Sequence, residues 1–142
     1  MGQDQTRLSI QPKADCVDDA ITLIKQLNAT PMVGFNDGNL AFMSTVKELA
    51  PEIPVFWDRP PSTNIDEDIN IAREKGFESL VIHHSGITPE KIKKVKSAQL
   101  EVGAWTVNDE TELIRLLTMG IDRIYTDDPM LLIANKKERI RR

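Results

Sequence analysis

One periodicity constrains this chain more than any other feature. Short apolar or β-branched runs return roughly every 21 to 26 residues along its whole length, and each is followed by a segment of helical period. The runs are Leu8–Ile10, Met32–Phe35, Pro54–Trp57, Ser79–Ile82, Val102–Thr106 and Arg123–Thr126. A repeat of that size holds one strand, one helix and short loops. Six such units fill the 142 residues and leave no room for a linker or a second domain. Alternating strands and helices predict a parallel sheet with helices packed on it.

The segments between the runs carry helix signals. Val17, Ala20, Ile21, Ile24 and Leu27 form one apolar stripe, and Leu40, Met43, Val46 and Leu49 with Ala50 form another. Thr88 before Pro89 and Glu90 reads as a cap, a first-turn proline and a first-turn acid. Asn108 before Asp109, Glu110 and Glu112 predicts the next helix start in the same way. Gly76 and Gly120 stand just past helical runs, where a left-handed residue lets the chain turn back to a strand. The longest irregular stretch is Asp58–Asn64, with Pro60 and Pro61.

Composition narrows the function classes. The chain has 22 acidic and 18 basic residues, a net charge of −4, which gives no electrostatic reason to expect nucleic acid. The basic residues Lys136, Lys137, Arg139, Arg141 and Arg142 are a local cluster and read as a solvated helix end. Cys16 is the single cysteine, so no intramolecular disulfide is available. No apolar run has the length of a membrane span, and Met1–Arg7 lacks the core of a signal peptide. The expected compartment is the cytoplasm if the chain is complete. Met1-Gly2 with Thr6 meets the myristoylation pattern formally, a short pattern often matched by chance.

In parallel βα architectures functional groups cluster where strands lead into helices. Those exits hold Gln11-Pro12-Lys13, Asn36-Asp37, Asp58-Arg59, His83-His84, Asn108-Asp109 and Asp127-Asp128. Lys13, directly after a short strand and beside a proline, is placed to meet an anion. His83 and His84 are the two histidines; as neighbours on a strand they should face opposite sides, with a hydrogen-bonded structural role. Asp127-Asp128-Pro129 reads as a metal-binding pair or as a helix cap. Trp105 should be half buried. Phosphate loops of Walker type, Gly-x-Gly-x-x-Gly turns, Cys/His metal spacings and nucleophile elbows are all missing from the sequence.

Two runs are familiar. Val102-Gly103-Ala104-Trp105-Thr106-Val107-Asn108 and, after a helix, Gly120-Ile121-Asp122-Arg123-Ile124-Tyr125-Thr126-Asp127-Asp128-Pro129 resemble the C-terminal end of the glycerophosphodiester phosphodiesterase family. Upstream, Gly34-Phe35-Asn36 resembles the family's Ser-Phe-Asp strand, and Ser9-Ile10-Gln11-Pro12-Lys13 its Ile-Glu-Ile-Lys strand. The resemblance implies a partial TIM (β/α) barrel, strands three to eight of eight, where a full barrel takes about 250 residues. It further implies metal-assisted hydrolysis of glycerophosphodiesters to an alcohol and glycerol 3-phosphate. In the complete family enzyme, carboxylates hold a divalent cation, calcium or magnesium, and two histidines near the N-terminus act as acid and base. Carried over by position, Lys13 is the phosphate-facing catalytic lysine, Trp105 the aromatic wall for substrate, and Phe35 a pocket-lining residue.

The departures are as informative. The family's His-Arg-Gly strand, Pro-Glu-Asn-Thr stretch, Glu-x-Asp metal strand and His-Asp strand exit are absent from the sequence, and the third metal carboxylate position holds the neutral Gln11. Hard cations need charged oxygen ligands, so no cation is expected on this chain, and little turnover from it alone. A catalytically dead partial barrel that binds a phosphate ligand or a partner chain is the alternative, and an unrelated open flavodoxin-like sheet is a third reading. A six-strand arc leaves two edges unpaired, which predicts association, most simply as a homo-oligomer.

Overall fold

A computed structural model describes residues 6–141, with side-chain surroundings through residue 137; the Met1-Gly2 pattern lies outside this range. The chain runs β1 (Leu8–Ile10), α1 (Val17–Gln26), β2 (Val33–Asp37), α2 (Leu40–Leu49), β3 (Val55–Arg59), α3 (Ile65–Lys75), β4 (Ser79–His83), α4 (Pro89–Ser97), β5 (Glu101–Trp105), α5 (Glu110–Thr118), β6 (Arg123–Ile124) and α6 (Pro129–Arg141). Single 3₁₀ turns, Thr30–Met32 and His84–Gly86, precede β2 and follow β4. All six strands are parallel and lie in the order of the sequence. Sequential order excludes the flavodoxin-like alternative, whose strands change direction of addition.

Boundaries shift by a residue or two from those predicted. Met32 belongs to the 3₁₀ turn, β3 extends to Arg59, and β6 pairs only through Arg123 and Ile124. Leu27, expected on the buried stripe of α1, is exposed, because the helix ends at Gln26. Gly76 and Gly120 adopt φ of 77° and 82°, as expected, whereas α1 and α4 are followed by left-handed Asn28 and Gln99 (φ 53° and 63°). Thr88 caps α4 by accepting from the Lys91 N–H at 3.2 Å, with Pro89 in the first turn. Lys136 and Lys137 are exposed on α6.

Strand side chains alternate between two faces, and the register assigns each face. Val33 and Phe35, Val55 and Trp57, Leu80 and Ile82, Val102 and Ala104 are buried in one cluster with Ile21, Met43, Val46, Ala72, Val95, Leu113 and Leu116 of the helices. This is the core, and it occupies the helix side of the sheet. The opposite face carries Ser9, Asn36, Phe56, Asp58, Val81, Gly103, Trp105 and Arg123. That face is concave. The Arg123 guanidinium of β6 lies 4.2 Å from the Phe56 ring of β3, although three ladder steps in a flat sheet span about 14 Å. The sheet is therefore a half-barrel, with β1 and β6 as its edges. Among the described residues no helix is long and apolar enough to cross a membrane.

Helix α5 is tied to the β4 exit by one polar cluster. Glu112 accepts from Arg115 Nε (2.8 Å) and Nη2 (2.5 Å), and its Oε1 lies 3.1 Å from His84 Nδ1. Arg115 also donates to the carbonyls of His84 (3.1 Å) and Ile87 (3.3 Å). His84 is thus the hydrogen-bonded structural histidine that the sequence predicts. The Arg115 bonds foremost, opposed by desolvation and aided by His84, hold the Glu112 carboxyl down at about 2, against an ordinary 4.5.

Two measurements follow from these contacts. Because the Glu112 carboxyl is depressed in the folded state, the stability it contributes is complete above its unfolded value near 4.5 and is lost as pH falls towards 2. Urea unfolding at a series of pH values should show wild type ahead of Glu112→Gln above that window, with the gap closing inside it; a gap independent of pH would sink the pairing. A Cβ on Gly86 would stand 2.3 Å from the Pro61 carbonyl oxygen, whereas one on Gly76 meets nothing within 4 Å and suffers only from its φ of 77°. Gly86→Ala should cost about 1–3 kcal/mol by overpacking, and Gly76→Ala about 1 kcal/mol from left-handed strain. Denaturant midpoints in the reverse order would show that the Pro61 segment yields.

Candidate functional site

Parallel strands end together, so their last concave-face residues and the loops that follow form one rim. Here that rim encloses a cavity of about 660 Å³ lined by Gln11, Asn36, Asp58, Trp105, Tyr125 and Asp127, with Thr106, Ile124, Thr126, Pro129 and Leu132. A smaller one of about 340 Å³ opens at the other end of the concave face, between Arg7, Leu8 and Ser9 on one edge and Asp122, Arg123 and Ile124 on the other.

The β6 side of the rim is fixed by Asn108. Its carbonyl oxygen accepts from the Asp127 N–H (2.9 Å) and the Thr126 hydroxyl (3.1 Å), and its amide donates to Asp127 Oδ2 (2.9 Å). Asn108 is therefore not the cap of α5, as the sequence suggested. Asp109 takes that place, accepting from the Glu112 N–H at 2.9 Å. The physical reason is that an amide offers both donor and acceptor, which a neighbouring N–H, hydroxyl and carboxylate together require and a carboxylate could not supply. Asp128 caps α6, accepting from the Leu131 N–H at 3.1 Å with Pro129 in the first turn. Its role is the cap rather than half of a metal pair.

On the β1 side, Lys13 is exposed and donates to Gln11 Oε1 at 2.8 Å, while Gln11 Nε2 donates to Asp37 Oδ1 at 3.3 Å. Ser9 donates to Asn36 Oδ1 at 2.6 Å. Asn36 and the Asp58 carboxyl line the same cavity. Burial is the main influence on Asp58 and raises it to about 6; the Asn36 amide opposes this, Asp37 adds to it and Lys13 lowers it. Tyr125 faces the same space. Burial, partly offset by Arg123 and reinforced by the charges of Asp58 and Glu101, pushes its phenol up to about 12.

Trp105 is half buried, as expected, and forms a wall of the cavity. Its indole Nε1 is shielded from solvent and has no hydrogen-bond partner among the described residues. A buried N–H without a partner is uncommon, and this one belongs to a residue of the cavity wall. The edge of the Trp105 ring system meets His83, with centroids 4.9 Å apart and planes at 87°. His83 and His84 do not face opposite sides: their rings stack at 4.6 Å. The strand ends at His83, and the 3₁₀ turn that begins at His84 breaks the alternation.

Of the residues singled out in the sequence, Trp105 lines the cavity, and Lys13, exposed and outside its lining, reaches it only through its bond to Gln11. Phe35 does not join them. It is completely buried on the helix side of β2, because the alternation gives the concave face to Asn36. Tyr125 was missed, although counting by twos from Arg123 would have turned it inwards. Asp58 had only its place among polar strand exits as a signal. No cation site is assembled here: among the described residues no three His, Cys, Asp or Glu side chains gather around one point. Gln11, where the resemblance puts a metal carboxylate, has both ends of its amide engaged within the protein. The donors present do not fit a divalent ion.

Comparison with known proteins agrees with the geometry. A glycerophosphodiester phosphodiesterase of Arabidopsis thaliana is 34% identical over 62 residues, covering 44% of this chain and 19% of that protein. One from Caldanaerobacter subterraneus subsp. tengcongensis is 27% identical over 113 residues, covering 80% of this chain and 46% of its relative. The chain thus spans less than half the length of either. Among solved structures, a glycerophosphodiester phosphodiesterase from Parabacteroides distasonis superposes with a TM-score of 0.80 at 19% identity, over 93% of this chain and 57% of that one. An Oleispira antarctica phosphodiesterase in complex with the product sn-glycerol-3-phosphate does so with a TM-score of 0.76 at 21% identity, over 90% and 53%. At these identities the structures speak to the fold. The sequence model of the glycerophosphoryl diester phosphodiesterase family extends over residues 3–131, and the chain belongs to that family.

Proposed function

We propose that this chain supplies the phosphate-facing and aromatic walls of a site for glycerophosphodiesters, whose hydrolysis yields an alcohol and glycerol 3-phosphate. The observation that carries the reading is the rim cavity itself, walled by Trp105 and by Gln11, the side chain that the Lys13 ammonium hydrogen-bonds. Lys13 turns from Gln11 to an unesterified phosphate oxygen, placing positive charge where negative charge develops in phosphoryl transfer. The Trp105 ring covers the carbon skeleton of the alcohol side. The Oleispira phosphodiesterase of the same fold holds sn-glycerol 3-phosphate, which supports the substrate class. In the complete enzyme a divalent cation supplies Lewis-acid stabilisation. On this chain the donors do not fit one, and no step here runs through it.

By itself the chain acts as a binding module of very low turnover. Acid–base catalysis by a placed histidine is worth about 10²–10⁴ in rate, and His84 is committed to Glu112. The open edges of β1 and β6, with Leu8 67% exposed, favour association with a second copy, since unpaired strands and apolar surface together drive pairing.

A phosphodiesterase assay on the 142-residue chain with added calcium or magnesium should show no appreciable turnover, while calorimetry should show binding of sn-glycerol 3-phosphate. Lys13→Ala should weaken that binding about tenfold, the worth of one charge-assisted hydrogen bond. Metal-dependent turnover by the isolated chain would overturn the module reading, and unchanged binding by the variant would remove Lys13 from the site. Light scattering should give a mass above that of a 16.0 kDa monomer; a clean monomer at high concentration would refute edge-mediated association.

A further inference from the structure

Two inward-placed carboxylates of this chain are treated very differently by their surroundings. Asp68, 2% exposed, has the Arg59 guanidinium 3.1 Å away and the Thr63 hydroxyl donating to it. Burying a carboxylate without such partners is costly, and Asp68 has both an ion pair and a hydroxyl donor. Asp58 has no such ion pair among the described residues. Its carboxyl lines the rim cavity beside Asn36, and the cation that acts on it, Lys13, lies exposed and bonded to Gln11. Trp105 and Tyr125 form the wall of the same space. A half-buried acid without an ion pair inside a cavity is a group placed for a ligand rather than for stability.

We propose that Asp58 is a ligand-contacting residue of this cavity: protonated, it donates its O–H to an unesterified oxygen of a bound phosphodiester, and ionised, it repels that oxygen. The role rests on the phosphodiester reading above and adds to it a pH gate that Lys13 and Trp105 do not supply. Every element around Asp58 presents polar groups. Asn36 and Asp37 come from β2, Lys13 from the β1 exit, His83 from β4, and Tyr125 with Asp127 from the β6 exit. Asp37 already accepts from the Gln11 amide and the Asn39 N–H, and Asp127 from Asn108. Asp58 itself is raised to about 6, chiefly by burial. It is therefore neutral on the acid side of that value and ionised at neutral pH, so binding should strengthen as pH falls.

Calorimetry with glycerophosphoglycerol tests this, because the phosphate of a diester keeps one charge throughout the range. If only the protonated form binds, wild type should bind about 30-fold more weakly at about pH 7.5 than at about pH 5, the ratio of protonated fractions for a group titrating near 6. Asp58→Asn, a neutral donor of the same shape, should bind at both pH values with the acid-side affinity of wild type; it leaves His83 in place, so any contribution from that imidazole persists in the variant. Carbon-13 NMR of the Asp58 carboxyl in wild type needs no variant, and its titration midpoint should rise when the diester is added. A variant that keeps the wild-type pH dependence, or a midpoint unmoved by the diester, would overturn the role of Asp58 and leave the phosphodiester reading standing. Absence of diester binding by wild type at either pH would overturn both.

Discussion

Everything in this structure depends on the two-residue alternation of six parallel strands whose register is held in phase. Because the period is two, each strand divides its residues between the helix-packed core and the concave face. Phe35 and Asn36 are chain neighbours with opposite fates, as are Trp57 and Asp58, and Ala104 and Trp105. A slip of one residue in any ladder would move a core side chain into the cavity and a polar one into the core. The hydrophobic demand of the helix side thus fixes the chemistry of the other side, and the geometry of the rim follows from packing at the core.

Polar groups divide by the same logic. Those that hold elements together are fully partnered: Glu78 joins Lys47 to the Val55 N–H, Glu112 joins Arg115 to His84, and buried Asn135 of α6 donates to Glu110. Around the rim cavity the accounting is incomplete. The Trp105 N–H lacks a partner, and the half-buried Asp58 in the same lining has no ion pair among the described residues. Unsatisfied groups cost stability wherever they are buried; of the two buried side-chain atoms without a hydrogen-bond partner among the described residues, Trp105 Nε1 belongs to the cavity wall and Arg59 Nε stands beside Asp68.

The sequence carried the architecture well and the site only in part. Strand spacing, the Thr88 cap and the left-handed glycines were legible because each is a local requirement, met by a residue with few substitutes. Asn108 was misread as a cap because Asn and Asp are interchangeable there by local rules, and only the arrival of Thr126 and Asp127 from 18 or 19 residues away decides between them. The stacking of His83 on His84 depends on where β4 stops, a boundary set by tertiary contacts such as the close approach of Gly86 to Pro61. Lys13 was singled out by its place after β1, and it and Trp105 took their roles from the resemblance. Asp58 belongs to no motif and Tyr125 carried no role within its own, and both become visible only when the curled sheet brings β3 and β6 to one space.

That curl also makes the sheet edges part of the site. Both cavities are lined from the β1 side and from the β6 side at once, by Gln11 with Tyr125 at the rim and by Ser9 with Arg123 below it. These are the two strands whose outer ladder positions have no partner among the described residues. Whatever chain pairs with those edges therefore stands beside Lys13, Gln11 and Thr126, and excludes water from the same space that holds Asp58. Excluding water strengthens each charge interaction there. A chain that paired with those edges would then complete the sheet and enclose the cavity together, coupling the stability of that pairing to the affinity of the cavity.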